Sequence, residues 1–88
     1  MLRKDLVIIN KLGLHARASA LLVKTASRFS SDVKLARDGI EVNGKSIMGI
    51  MMLAASKGTS VCLTVDGADE TEAFQIIGDV IATGFGEE

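Results

Sequence analysis

His15, the one histidine in this chain, is the residue with the strongest claim to chemistry. It stands two residues after Gly13, at the front of an apolar-periodic stretch from Ala16 to Phe29 in which Ala18, Leu21, Leu22, Ala26 and Phe29 recur at helical spacing. At such a helix start the backbone N–H groups of Ala16, Arg17 and Ala18 have no intrahelical acceptor and point towards whatever sits beside the imidazole. An anion there gains those donors and the positive end of the helix dipole. Arg17 adds a guanidinium whose fork of donors suits phosphate oxygens. Neutral imidazole is a nucleophile, so this set of parts can accept a phosphoryl group and hold it. The same residues also read as a histidine that merely caps a helix, and nothing in the spacing selects phosphate over another anion.

The elements that must hold these residues follow from periodicity. Leu2–Ile9 reads as a first strand, and the polar loop Asn10–Gly13 leads from it to His15. Val33–Arg37 and Ile40–Asn43 are short strands around Asp38-Gly39, a dipeptide suited to a two-residue hairpin turn. Ser46 precedes the short apolar helix Ile47–Leu53 as a natural N-cap. Ser60–Asp66 is a strand whose Val61, Leu63 and Val65 share one face. The last helix carries the stripe Ala73, Ile76, Ile77, Val80 and Ile81, with Asp69 and Glu72 as an N-terminal box and Gly84 as a stop. The order β-α-β-β-α-β-α predicts an α+β domain with helices packed on one sheet face.

Composition narrows the function classes. Eighty-eight residues suffice for one small domain, with no linker or repeat to suggest a second. Ten Lys and Arg against eleven Asp and Glu, with neither Trp nor Tyr, argue against a nucleic-acid binder that relies on bulk positive charge or base stacking. The charge is segregated, however. Residues 1–57 hold ten bases and four acids, a net of +6, whereas 58–88 hold seven acids and no base. One face of the molecule can therefore meet an acidic partner, although two solvated faces of opposite sign are an equally plain reading. A single Cys and a single His leave neither a disulfide nor a multi-ligand metal cage, so no metal and no cofactor are expected. Cys62 lies mid-strand and reads as a buried structural thiol. No signal segment or spanning helix is evident, and the expectation is a soluble, cytoplasmic chain. The tail Gly84–Glu88 reads as a frayed end.

Gly13-Leu14-His15-Ala16-Arg17, followed by Lys45-Ser46-Ile47-Met48-Gly49, resembles the two signatures of HPr, the histidine-containing phosphocarrier family of the phosphoenolpyruvate-dependent sugar phosphotransferase system. The resemblance also covers the element order and Asp66-Gly67-Ala68-Asp69-Glu70, hence nearly the whole chain as one HPr-like domain, 1–88. It implies an open-faced β-sandwich, a four-stranded antiparallel sheet in the order 1-4-2-3 with three helices on one face. It implies that His15 takes a phosphoryl group on Nδ1 from enzyme I and passes it to the IIA domain of a sugar permease, with Arg17 stabilising the charge. Such a chain is a carrier and not an enzyme in the turnover sense. The signature departs at one place: Ala18 stands where the family usually has proline, which restores one N–H near the anion site.

The resemblance further implies that Ser46 is phosphorylated by a dedicated serine kinase/phosphorylase in many bacteria, as a regulatory signal; as an N-cap alone the residue needs no other explanation. Ile47, Met48, Met51 and Met52 read as core material, or else Ile47, Met48 and Met51 form an adaptable apolar patch. In the family that patch, with Ala20, docks partner proteins, and Arg17, Lys24 and Lys45 would supply steering charge. Ser27 and Gly49 stand where some relatives carry lysine, which thins that basic rim. A monomer is expected. Two other readings remain at this stage, a nitrogen-related or regulatory member of the family and a small module that binds an anion at the same helix end without covalent chemistry.

Overall fold

Alternation of apolar and polar residues builds a sheet with one covered side. The computed structural model describes residues 1–87. In the strand β4 (Ser60–Asp66), Val61, Leu63 and Val65 are buried and the residues between them are not. In β2 (Asp32–Arg37), Val33 and Leu35 do the same. A period of two sends each set to one side of the sheet. With β1 (Leu2–Val7) and β3 (Ile40–Asn43) the sheet has the order β1-β4-β2-β3 and is antiparallel throughout. The register sets Leu35 opposite Leu63, Val33 opposite Val65 and Leu6 opposite Val61, so the inner face is a continuous apolar floor. The β2–β3 turn is Asp38-Gly39, both at positive φ (50° and 81°), the double left-handed turn that the dipeptide predicts and that matches strand twist.

Three helices cover the floor: α1 (Ala16–Ala26), α2 (Ile47–Met52) and α3 (Glu70–Ala82). Ala18, Leu22 and Ala26 reach it from α1, Ile50 from α2, and Ala73, Ile77 and Ile81 from α3. Each fully buried Leu or Ile among them contributes roughly 1.5–3 kcal/mol. The opposite face carries Arg3, Asp5, Lys34 and Thr64 and is left bare. This is the open-faced α+β arrangement expected from the sequence, and α3 stops as expected, with Gly84 at φ +68° just beyond it.

Several boundaries and side chains differ from expectation. Helix α1 ends at Ala26 instead of Phe29, because the amides of Arg28 and Phe29 bond three residues back, to Thr25 and Ala26, and tighten the last turn; Phe29 stays buried. Strand β1 ends at Val7, although Ile8 continues along the loop before β4 through bonds with Thr59 (2.9 Å) and Gly58 (2.7 Å). Leu53 is the C-cap of α2, and Leu21 lies at the rim of its stripe, partly exposed. The box of Asp69 and Glu72 does not form. The Asp69 carboxylate instead takes the amides of Ser30 (2.9 Å) and Ser31 (3.0 Å) and the Ser31 hydroxyl, and the start of α3 is closed by Glu70, which accepts the Gly67 N–H. The Ser31 hydroxyl and then the Ser30 amide hold the Asp69 carboxyl down at about 2. Cys62 is only half-buried, because its place between Val61 and Leu63 turns it to the bare face, where it accepts from Arg3 Nε at 3.3 Å. The tail is not frayed through Glu87: Gly84–Gly86 form a 3₁₀ turn and Phe85 is buried at φ +59°. Glu88 lies outside the described residues.

Candidate functional site

The loop that delivers His15 is fixed from both ends. Gly13 sits at φ +65°, and a Cβ there would come within 2.5 Å of the Ala55 carbonyl oxygen, so glycine is required twice over. The Gly13 amide bonds to Asn10, and the Leu14 amide bonds to Ala55 at 2.9 Å. Leu14 is buried, and its carbonyl accepts the hydroxyl of the fully buried Ser19 at 3.1 Å. His15 follows in extended conformation as the N-cap of α1, with its carbonyl taking the Ser19 amide.

The imidazole is three-quarters buried and bonded at both nitrogens. Nδ1 accepts the Arg17 amide at 3.3 Å, a long contact, and therefore carries a lone pair. In the neutral ring Nε2 then bears the proton and donates to Glu87 Oε2 at 2.7 Å. The other oxygen of Glu87 accepts from Asn10 Nδ2 at 3.0 Å. The Glu87 carboxyl is held below the usual glutamate range, first by the Asn10 amide, then by the bond to His15, with the charges of His15 and Arg17 adding to it. Lys11, Leu12, Ala16, Arg17, Phe85 and Gly86 complete an open concavity around the pair.

Of the residues singled out in the sequence, His15, Ala16 and Arg17 line this concavity together. Ala18 is buried, and no acceptor among the described residues takes the amides of Ala16 and Ala18, so two donors stay open at the helix start. The Arg17 guanidinium is exposed and forms no ion pair among the described residues. Ala20 and Lys24 lie on the outer side of α1, one turn apart and both exposed. Helix α2 packs against α1 and presents Ile47, Met48 and Met51 outward, Met48 at 77% exposure; together with Met52 they are surface and not core. Ile50 is the residue that α2 buries, and its C-cap Leu53 is buried as well. The Lys45 ammonium is drawn onto the Phe29 carbonyl at 2.7 Å. Ser46 caps α2 as expected, its hydroxyl accepting the Gly49 amide at 3.1 Å. Asn10 and Glu87 were not singled out. The signal that existed for Glu87 was Phe85, a large aromatic between two glycines, which marks a tail that is anchored. Among the described residues no three His, Cys, Asp or Glu side chains converge, and no helix is long and apolar enough to cross a membrane.

An open-faced sheet that presents one mostly buried imidazole at the start of its first helix defines a class of small α+β domain built around a single histidine. The family model described as the PTS HPr component phosphorylation site matches residues 2–83, and the chain belongs to that family. It is 56% identical over 87 residues to the phosphocarrier protein HPr of Neisseria meningitidis serogroup A, covering 99% of this chain and 98% of that one. Its fold superposes on HPr-C-His from Thermoanaerobacter tengcongensis with a TM-score of 0.96 at 50% identity, covering 100% of this chain and 99% of that one. An HPr dimer from the same organism aligns with a TM-score of 0.79 at 49% identity, covering 99% of this chain and 100% of that one.

Proposed function

We propose that His15 accepts a phosphoryl group on Nδ1 from enzyme I and passes it to the IIA domain of a sugar permease, in the cytoplasm, with the chain acting as one domain and as a carrier, not a turnover catalyst. The observation that carries this reading is the imidazole. Nε2 is occupied by Glu87, whereas Nδ1 has only one long contact, to the Arg17 amide at 3.3 Å. Phosphoryl transfer needs positioning and charge stabilisation more than covalent machinery. Arg17 and the amides of Ala16, Arg17 and Ala18 supply the stabilisation.

Docking on partners is assigned to Ala20, Lys24, Lys45, Ile47, Met48 and Met51, an apolar patch with basic flanks. Methionines suit a surface that must fit more than one partner. Ser46 is the proposed site of a regulatory kinase/phosphorylase: a phosphate there is tolerated by the helix start and puts negative charge beside the docking patch.

The test is the intact mass after incubation with phosphoenolpyruvate and enzyme I, with a His15→Ala control. One acid-labile phosphoryl adduct, absent from the control, is expected. No adduct, with enzyme I active on a reference carrier, overturns the reading and favours non-covalent anion binding.

A further inference from the structure

A buried amide is left unexplained by the carrier chemistry. Asn10 is only 4% exposed, and its Nδ2 donates twice, to the Gly13 carbonyl at 2.7 Å and to Glu87 Oε1 at 3.0 Å. Turning the amide over would set its oxygen against two other oxygens, so the orientation is fixed. In that orientation Oδ1 is buried with no partner among the described residues, a cost that the fold bears. Closing the loop needs only one of the two amide hydrogens. The other reaches across the fold to Glu87, 77 residues away.

Glu87 is not there by chance of a loose tail. Phe85 is buried at φ +59° and Gly86 follows at φ +71°, so the chain is anchored and turned immediately before it. Its two carboxylate oxygens are divided, one to Asn10 and one to His15 Nε2. The side chain is mostly buried, which strengthens its field at the ring.

We infer that Asn10 and Glu87 are positioning residues for His15: Asn10 aims the Glu87 carboxylate, which holds the imidazole as the Nε2–H tautomer and leaves the Nδ1 lone pair facing the incoming phosphorus. The inference rests on the carrier reading. In the step, the Nδ1 lone pair gives up its long contact with the Arg17 amide and forms the N–P bond while the bond from phosphorus to the donor breaks, its electron pair leaving with the donor atom. The proton on Nε2 stays, and the ring gains one positive charge directly opposite the Glu87 carboxylate. On transfer to the acceptor, the N–P pair returns to Nδ1 and the ring is neutral again. No proton has to move in either direction.

The test combines the ring ¹⁵N shifts of His15 in the unphosphorylated full chain with the rate of phosphorylation by enzyme I. Glu87→Ala is expected to move the ring towards the mixed tautomers of a free imidazole and to slow transfer about tenfold. Glu87→Gln removes the charge and is expected to slow transfer as well. Asn10→Ala is expected to act in the same direction, and the double variant Asn10→Ala/Glu87→Ala to be no slower than Glu87→Ala alone. Unchanged tautomer and rate in Glu87→Ala, even with a lowered melting temperature, would show a tether and overturn the inference. Multiplying effects in the double variant would also overturn it, since Asn10 would then not act through Glu87. The ¹⁵N readout needs no phosphoryl donor, so a wild-type chain that takes no adduct would overturn the carrier reading separately.

Discussion

His15 Nε2 and Glu87 Oε2 lie 2.7 Å apart although 72 residues separate them in the chain. The contact brings an acidic residue of the tail onto the ring, and it leaves Nδ1 with only the long contact to the Arg17 amide, 3.3 Å.

With the proposed acceptor removed, His15→Ala should abolish all labelling. Arg17→Ala should keep the acceptor and lose charge-assisted bonds to the transferring group, so that the rate of phosphoryl transfer falls by about 10- to 100-fold. Rapid-quench labelling separates the two. An Arg17→Ala chain as fast as wild type would remove Arg17 from the mechanism.

Gly13→Ala forces a side chain into a left-handed position and against the Ala55 carbonyl. The expected loss is about 1–3 kcal/mol, read by urea unfolding. The loop before His15 moves with it, so labelling slows as well. A variant of wild-type stability would mean that the Ala55 loop yields freely.

Asp69 ties the segment before β2 to the start of α3, and its carboxyl titrates at about 2 instead of near 3.8. Because the folded value is the lower one, the stability it lends is complete above about pH 4 and disappears as the pH falls towards 2. Thermal melts from pH 7 to pH 2 should show that loss, and Asp69→Asn should lower the melting temperature at pH 7 by roughly 5 °C or more. The acid-induced part of the loss should shrink in the variant. Parallel pH profiles for the two chains would contradict the assignment.

Met48→Ala touches little within the fold, and its stability should stay within about 0.5 kcal/mol of wild type. If Met48 is part of the docking patch, the KM for the chain in the enzyme I reaction rises by about fivefold or more. An unchanged KM for Met48→Ala and Met51→Ala together would move the docking face elsewhere.

Ser46→Ala deletes the α2 cap and should cost about 1 kcal/mol in urea unfolding. A serine kinase of the family type should then leave the chain unmodified. Modification that persists at another residue would dissociate Ser46 from regulation.

Features that rest on neighbours in sequence were legible. The alternation of Val61, Leu63 and Val65, the Asp38-Gly39 turn, the Ser46 cap and the position of His15 before α1 all require only a few adjacent residues, and each formed as read. What escaped depends on partners brought together by the fold. Asp69 looked like a cap for its own helix, yet it serves Ser30 and Ser31, some 38 residues earlier. Glu87 looked like part of a loose end, yet Phe85 is buried two residues before it and its carboxylate meets Asn10 and His15. The methionines of α2 fell to the surface because so short a helix has one inward side, and Ile50 and Leu53 already occupy it.

Leaving one side of the sheet uncovered has a practical result. The only thiol of the chain, Cys62, opens onto that side, away from the helices and the imidazole they frame. A single reporter group attached there would be placed at one known position without a competing cysteine, and it would ride on the bare face, away from the proposed docking patch. The protein thus carries its own attachment point from which the proposed docking and phosphoryl exchange can be watched.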